Sequence, residues 1–187
     1  MAQSVDNIVT KGFFGSLDKT LTFRQRAGFT IISKKRRGSS SAPSDGMLAV
    51  RTKFLSAVAY ASRAIKNAVT KALYNSAATG MQSAFNVATA DAYNPPVVNS
   101  IAVDKYQGAV GDHITVDASD DFKVKSVSVA IHDAAGNLIE QGAAVLQTET
   151  AGWLYTATVV NAAPAGCKVS ATATDLPGNT GSLEITL

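Results

Sequence analysis

Hydrophobic and polar positions change their period once along this chain, near Asn94-Pro95-Pro96. Before that point the longest regular run repeats every three to four residues; after it the repeat is two. Over residues 46–76, Leu55, Val58, Ser62, Ile65, Val69 and Ala72 fall on one helical stripe, with Phe54, Ala61 and Leu73 beside it. That spacing, with no internal proline, predicts one long amphipathic helix. Ser44 or Asp45 is a suitable cap for its start. Ala77–Gly80 breaks the run, and residues 81–93 predict a shorter helix with Met81, Phe85 and Ala88 on one side. Asn94-Pro95-Pro96 ends it, because proline lacks the N–H that a helix needs and keeps the preceding residue out of helical geometry.

Upstream, Leu21, Phe23 and Gln25, then Phe29, Ile31 and Ser33, alternate with Thr22, Arg24, Arg26, Thr30, Ile32 and Lys34. Ala27-Gly28 lies midway, where a two-residue loop requires glycine. The pattern predicts a β-hairpin of residues 20–26 and 29–35, apolar on one face and basic on the other. Residues 34–46, KKRRGSSSAPSDG, read as a basic loop or arm. From Val97 onward, strands are predicted near 98–103, 113–118, 124–132, 137–147, 152–160, 167–174 and 181–187. Turn residues such as Ala135-Gly136-Asn137 and Pro177-Gly178-Asn179 separate them. Short alternating strands at this spacing indicate a β-sandwich. The expected architecture is therefore an α+β region over 1–94, comprising a β-hairpin plus one long and one short helix. An all-β, seven-stranded immunoglobulin-like sandwich over 95–187 follows it, with Trp153 and Tyr155 in its core.

Charge divides at the same boundary. The first 94 residues carry 13 Lys/Arg against four acids, a net +9; residues 95–187 carry four Lys against ten acids, a net −6. Between Asp45 and Asp91 there is no acid at all. A split of this kind points to an anionic partner for the first half, or to copies pairing basic part to acidic part. The chain is 46% hydrophobic and only 17% charged, a balance that leaves apolar surface for a partner. The single cysteine, Cys167, permits no intramolecular disulfide. The opening residues lack the basic and apolar segments of a secretory signal, and no apolar window is long enough to span a membrane. The expectation is a protein made in the cytoplasm without export that resides in a virion or a phage-like or filamentous assembly.

Catalytic chemistry finds little purchase. His113, His132 and Cys167 lie on separate predicted strands, without the clustering that a zinc site needs. There is no G-x-S-x-G, no phosphate loop and no dinucleotide fingerprint. Neither an enzymatic activity nor a cofactor is expected. Asp117, Asp120, Asp121 and Asp175 fall near turns, and hard carboxylate oxygens are what calcium prefers. The alternative is that these aspartates cap turns by accepting backbone N–H groups.

The second half resembles bacterial immunoglobulin-like domains in two places. Asp120-Asp121-Phe122-Lys123-Val124-Lys125-Ser126-Val127 is similar to their entry into a central strand. Ala173-Thr174-Asp175-Leu176-Pro177-Gly178-Asn179 is similar to their A-x-D-x-x-G-N turn between the last two strands. The resemblance implies a spacer, an adhesion module, or a decoration on phage particles or cell surfaces. Gly12, Gly15, Phe23-Arg24, Gly28, Lys34–Arg37 and Arg51-Thr52-Lys53-Phe54 resemble a group of uncharacterised proteins of Bacteroidetes and their phages or prophages. Together these features suggest a self-assembling structural protein, a homo-oligomer that also meets other structural proteins of the same particle. Its apolar contacts would be Phe23, Phe29, Ile31, Leu55, Val58, Ile65 and Val69. Arg24, Arg26, Lys34, Lys35, Arg36, Arg37, Arg51 and Lys53 would supply the charge. Two alternatives stand beside it. The basic half binds nucleic acid, although aromatics are not interleaved with the cations as a stacking groove requires; or residues 97–187 bind a surface glycan.

Overall fold

Asn67 interrupts the long helical pattern. A computed structural model of the chain describes every residue except Met1, 5–7, 9, 11, 19, 27, 36–41 and 149–151. In it the expected single helix over 46–76 is two: α1, Asp45–Ala64, and α2, Ala68–Ser76. Asn67 has extended backbone, and its side chain accepts from the N–H groups of Val69 (2.9 Å) and Thr70 (3.3 Å). Asparagine is among the best helix caps, so it begins a new helix where the apolar spacing alone would continue the old one. A third helix, α3, Ala84–Tyr93, starts on the Ser83 cap and stops at Asn94, before the two prolines.

The apolar stripe is corrected with it. The buried apolar helical positions are Ala57, Ala61, Tyr74, Ala84 and Ala88, small residues around one tyrosine. Leu55 and Val69 lie on the surface, while Val58 and Ile65 are half-buried. On α3, Met81 lies outside the helix and is exposed; Ala84, Ala88 and Asp91 point inward.

By its contacts the chain forms two units, Met1–Val50 with Thr79–Gln82, and Arg51–Ala78 with Ser83–Leu187. The first contains a four-stranded antiparallel sheet: β1 (Ala2–Ser4), β2 (Gly15–Leu17), β3 (Leu21–Arg26) and β4 (Phe29–Lys34), in the order β1-β4-β3-β2. The β3–β4 pair is the expected hairpin, and two further strands extend it. Gly28, at φ +82°, supplies the left-handed residue of its turn. Phe13 packs edge-on against Phe23, with ring centroids 5.8 Å apart.

The second unit holds the helices and the carboxy-terminal strands: β5 (Val97–Ala102), β6 (His113–Ser119), β7 (Val124–His132), β8 (Leu138–Leu146), β9 (Trp153–Thr156), β10 (Lys168–Asp175) and β11 (Thr180–Thr186). These do not form the expected immunoglobulin-like sandwich of two separate sheets. All seven belong to one hydrogen-bonded antiparallel sheet, ordered β11-β10-β7-β8-β9-β6-β5, and its end strands β11 and β5 lie against each other in a near-barrel. The strand responsible is β8. It pairs with β7 as far as Ala144, then with β9 through Val145 and Leu146, so it bridges what would otherwise be two layers. Within β8 the Tyr155 ring covers Gly142 so closely that a Cβ there would lie 2.9 Å from Cε2. The closing seam lies at Gly181 of β11, whose Cα approaches the Pro96 carbonyl too closely for any side chain. Inward-facing Ile114, Val116, Val127, Val129, Ile131, Trp153, Tyr155, Val169 and Ala171 fill the interior.

Candidate functional site

The charged chemistry of the second unit converges on three aspartates. Asp91 comes from the inner face of α3, Asp120 from the loop between β6 and β7, and Asp175 from the last position of β10. One carboxylate oxygen from each lies within 4.8 Å of the other two. Asp91 and Asp175 are fully buried.

Each carboxylate is held by different donors. Asp175 Oδ1 accepts the N–H groups of Gly178 (2.7 Å) and Asn179 (2.6 Å), and its Oδ2 accepts Asn179 Nδ2 (2.7 Å). This is the work of the A-x-D-x-x-G-N turn: Gly178, at φ +100°, turns the chain so that two successive N–H groups face one carboxylate. Asn179 Nδ2 also donates to the Ala92 carbonyl at 3.3 Å, which ties the turn to the end of α3. Asp120 Oδ2 accepts the N–H groups of Phe122 (3.4 Å) and Lys123 (3.1 Å). Asp91 Oδ2 accepts the Tyr74 hydroxyl at 2.5 Å, and Tyr60 lies 3.0 Å from the Tyr74 oxygen. Since Tyr74 gives its own proton to Asp91, Tyr60 is the donor to Tyr74. The Tyr74 ring rests on Phe122, 4.7 Å between centroids.

Two oxygens of this cluster lack donors, as does Glu140 Oε1 on β8. Asp91 Oδ1 and Asp120 Oδ1 are buried and accept no hydrogen bond. Burial, then a hydrogen bond shared with Asp120 and the negative charges of Asp120 and Asp175, pushes the Asp91 carboxyl up to about 7, against the opposing hydrogen bond from Tyr74. Burial also raises the Tyr74 hydroxyl well above the ordinary tyrosine range, so Tyr74 stays a donor at any physiological pH.

Of the four aspartates the sequence marked for calcium, the fold brings Asp120 and Asp175 together and leaves two outside. Asp117 is exposed and accepts Asn99 Nδ2 at 3.1 Å; Asp121 is exposed and accepts Asn94 Nδ2 at 2.6 Å. Asp91 was not among them. Its one sequence signal is position: Ala84, Ala88 and Asp91 share a helical face, so the lone acid of this stretch points where alanines are buried. His113, His132 and Cys167 form no cluster among the described residues. His113 meets Thr156, and buried Cys167 donates to the Ala163 carbonyl. A second buried acid that no sequence motif singles out is Glu140 on β8. Its Oε2 accepts from the Thr158 and Val159 N–H groups and the Thr158 hydroxyl, which pins the segment after β9. Burial, with Glu140 alongside, pushes the Tyr155 hydroxyl up to about 12.

The residues marked for assembly are mostly accessible. Arg24, Arg26, Lys34, Lys35, Arg51 and Lys53 are exposed; Arg36 and Arg37 lie outside the described residues. Arg26 donates to the Met81 carbonyl at 3.0 Å, and Lys53 Nζ sits 4.6 Å over the Tyr93 ring. Phe23, Phe29 and Ile31 are half-buried in the small sheet. The amino-terminal turns of α1 are more open than the stripe predicted: Met47, Val50 and Phe54 follow one helical line, with Leu48 and Leu55 beside it, all exposed. Phe54, Phe85, Ala90 and Tyr93 line a groove of about 500 Å³ between α1 and α3. Among the described residues no helix is long and apolar enough to cross a membrane.

No protein-family model and no curated protein matches this chain. Among solved structures it is similar to an engineered protein determined by crystallography, at 19% identity and a TM-score of 0.36 over 55% of this chain. The match spans a quarter of that structure's length, and a likeness this slight carries no argument about fold or function.

Proposed function

We propose that this is a non-enzymatic structural protein that assembles with further copies of itself through its first half, as a component of a phage-like particle or a filament. The observation that carries the proposal is the exposed apolar line on α1. Phe54 is 51% and Leu55 59% accessible, and Met47, Leu48 and Val50 precede them on the same helix. A soluble helix keeps such residues inward unless another surface covers them. Charge supports a second copy as that surface. The helix carries Arg51, Lys53 and Arg63 with no acid after Asp45, whereas residues 95–187 carry the net −6 that would meet it. The groove beside Phe54 offers room for a neighbour's apolar side chain.

Light scattering across a concentration series, with electron microscopy of the same samples, tests this. The parent protein should form oligomers or ordered particles, and the double substitution Phe54→Glu/Leu55→Glu should leave a monomer. Because both side chains are exposed, the melting temperature should hardly move. A parent that stays monomeric at high concentration overturns the proposal. So does a salt-sensitive DNA complex, abolished by alanine at 34–37, in a protein that does not self-associate.

A further inference from the structure

We propose that Asp91, Asp120 and Asp175 together bind one hard divalent cation, calcium in preference to others, through one carboxylate oxygen of each. The geometry comes first. Calcium takes oxygen ligands at about 2.3–2.6 Å, so its coordination sphere is roughly 4.6–5.2 Å across. Three oxygens lying within 4.8 Å of one another can all touch such an ion.

Burial supplies the second, independent observation. Asp91 is 0% exposed, yet its Oδ1 has no donor among the described residues, and Asp120 Oδ1 is buried in the same condition. Native folds seldom leave a buried carboxylate oxygen unanswered. Among the described residues no lysine or arginine pairs with any of the three; the ion pair found is Lys168–Glu184, on β10 and β11. Asp91 Oδ2 is committed to Tyr74 and Asp120 Oδ2 to the Phe122 and Lys123 N–H groups, while Asp175, whose Oδ1 accepts from the Gly178 and Asn179 N–H groups and whose Oδ2 accepts Asn179 Nδ2, would share one of these oxygens with the ion. These bonds hold each carboxylate in place, as outer partners of metal ligands do.

The donor set decides the metal class. It contains no nitrogen or sulfur, which disfavours zinc and copper and suits calcium or magnesium. Magnesium demands a tighter octahedron at about 2.0–2.1 Å and sheds water reluctantly, whereas calcium tolerates irregular carboxylate cages. Asp120, in a half-exposed loop, gives the ion its way in. Once bound, the ion clips α3 to the β6–β7 loop and to the end of β10, joining helix to sheet through three separate stretches of chain.

Terbium, which takes calcium sites and emits when a nearby tyrosine is excited, reads the cluster locally, because Tyr74 is bonded to Asp91. Chelator-treated full-length protein titrated with terbium should show tyrosine-sensitised emission. Calcium should displace it at lower concentration than magnesium. Asp120→Asn should weaken terbium binding at least about tenfold, and Asp121→Asn, one residue along and outside the cluster, should not. Calcium at about a hundredfold over its dissociation constant should raise the melting temperature by about 5 °C or more in the parent and leave Asp91→Asn unmoved. Absent sensitised emission, or emission equal in the parent and Asp120→Asn, overturns the proposal. So does a melting temperature indifferent to calcium. In either case Asp91 and Asp120 hold a shared proton in place of a metal.

Discussion

Asp91 shows how little of a buried site a single residue announces. It is the one acid of the helical stretch after Asp45, and its neighbours in space, Asp120 and Asp175, come from a loop and a strand much further along the chain. Its environment makes a prediction that needs no metal. The groups facing it are Tyr74 and, behind it, Tyr60, with Asp120 and Asp175; none is cationic. In chelator-treated protein the folded Asp91 carboxyl, at about 7, binds its proton more tightly than the unfolded one, at 3.8. Between those values the folded state holds more protons. Its contribution to stability is therefore full below about pH 4 and is lost as pH rises to about 7, by on the order of 3 kcal/mol. Urea titrations from pH 4.5 to 7.5 should show this decline, and Asp91→Asn should flatten it. Asp112 and Asp133 act in the opposite sense. Hydrogen bonds from Gln107 and Ala109 to the first, and from Asn137 to the second, lower their carboxyls, so their contribution fades only as pH falls below the ordinary carboxylate range. A decline between pH 4.5 and 7.5 that persists in Asp91→Asn would assign the effect elsewhere.

Among the elements, short polar signals outrank long apolar ones. The stripe Leu55–Val58–Ile65–Val69 is continuous in sequence, yet Asn67 divides it, because two backbone N–H groups bonded to one side chain make a stable start for α2. Asn67→Ala should cost about 1 kcal/mol in urea unfolding, and Asn67→Gly only a few tenths. An equal loss in both would show that the cap is not what holds α2. The same stripe failed as a core marker because α1 and α2 bury alanines and Tyr74, not their larger apolar residues. Small residues allow close helix approach, and the bulky ones are left on the surface, where the proposed assembly uses them. Each carboxy-terminal strand, by contrast, was legible to within a few residues. Strand alternation records burial directly, and turns such as Gly136-Asn137 and Gly178-Asn179 mark the ends.

At the scale of the whole molecule, the difference between two sheets and one lies in a few contacts. Seven alternating strands with regular turns fit a sandwich and a rolled sheet equally well. What chose the latter is β8, paired on both edges, and the seam where Gly181 meets the Pro96 carbonyl. Gly181→Ala places a methyl group against backbone that cannot step aside. It should lower stability by about 1–3 kcal/mol or more, read as a drop in the urea midpoint; Ser182→Ala, its exposed neighbour, should be near neutral. If the two behave alike, the seam does not close as described. The sequence by itself determined the carboxy-terminal strands, the hairpin of the small sheet, the end of the helical region at Asn94-Pro95-Pro96, and the charge split, because periodicity, turn residues and formal charge are local properties. It also marked Asp120 and Asp175, whose turn motifs carry their own hydrogen-bond logic. Only the tertiary structure decided that α3 delivers Asp91 to those two carboxylates, that β8 joins the strands into one sheet, and which helical face is covered. Those are contacts between distant segments, set by which close approaches the backbone permits, and no local pattern records them.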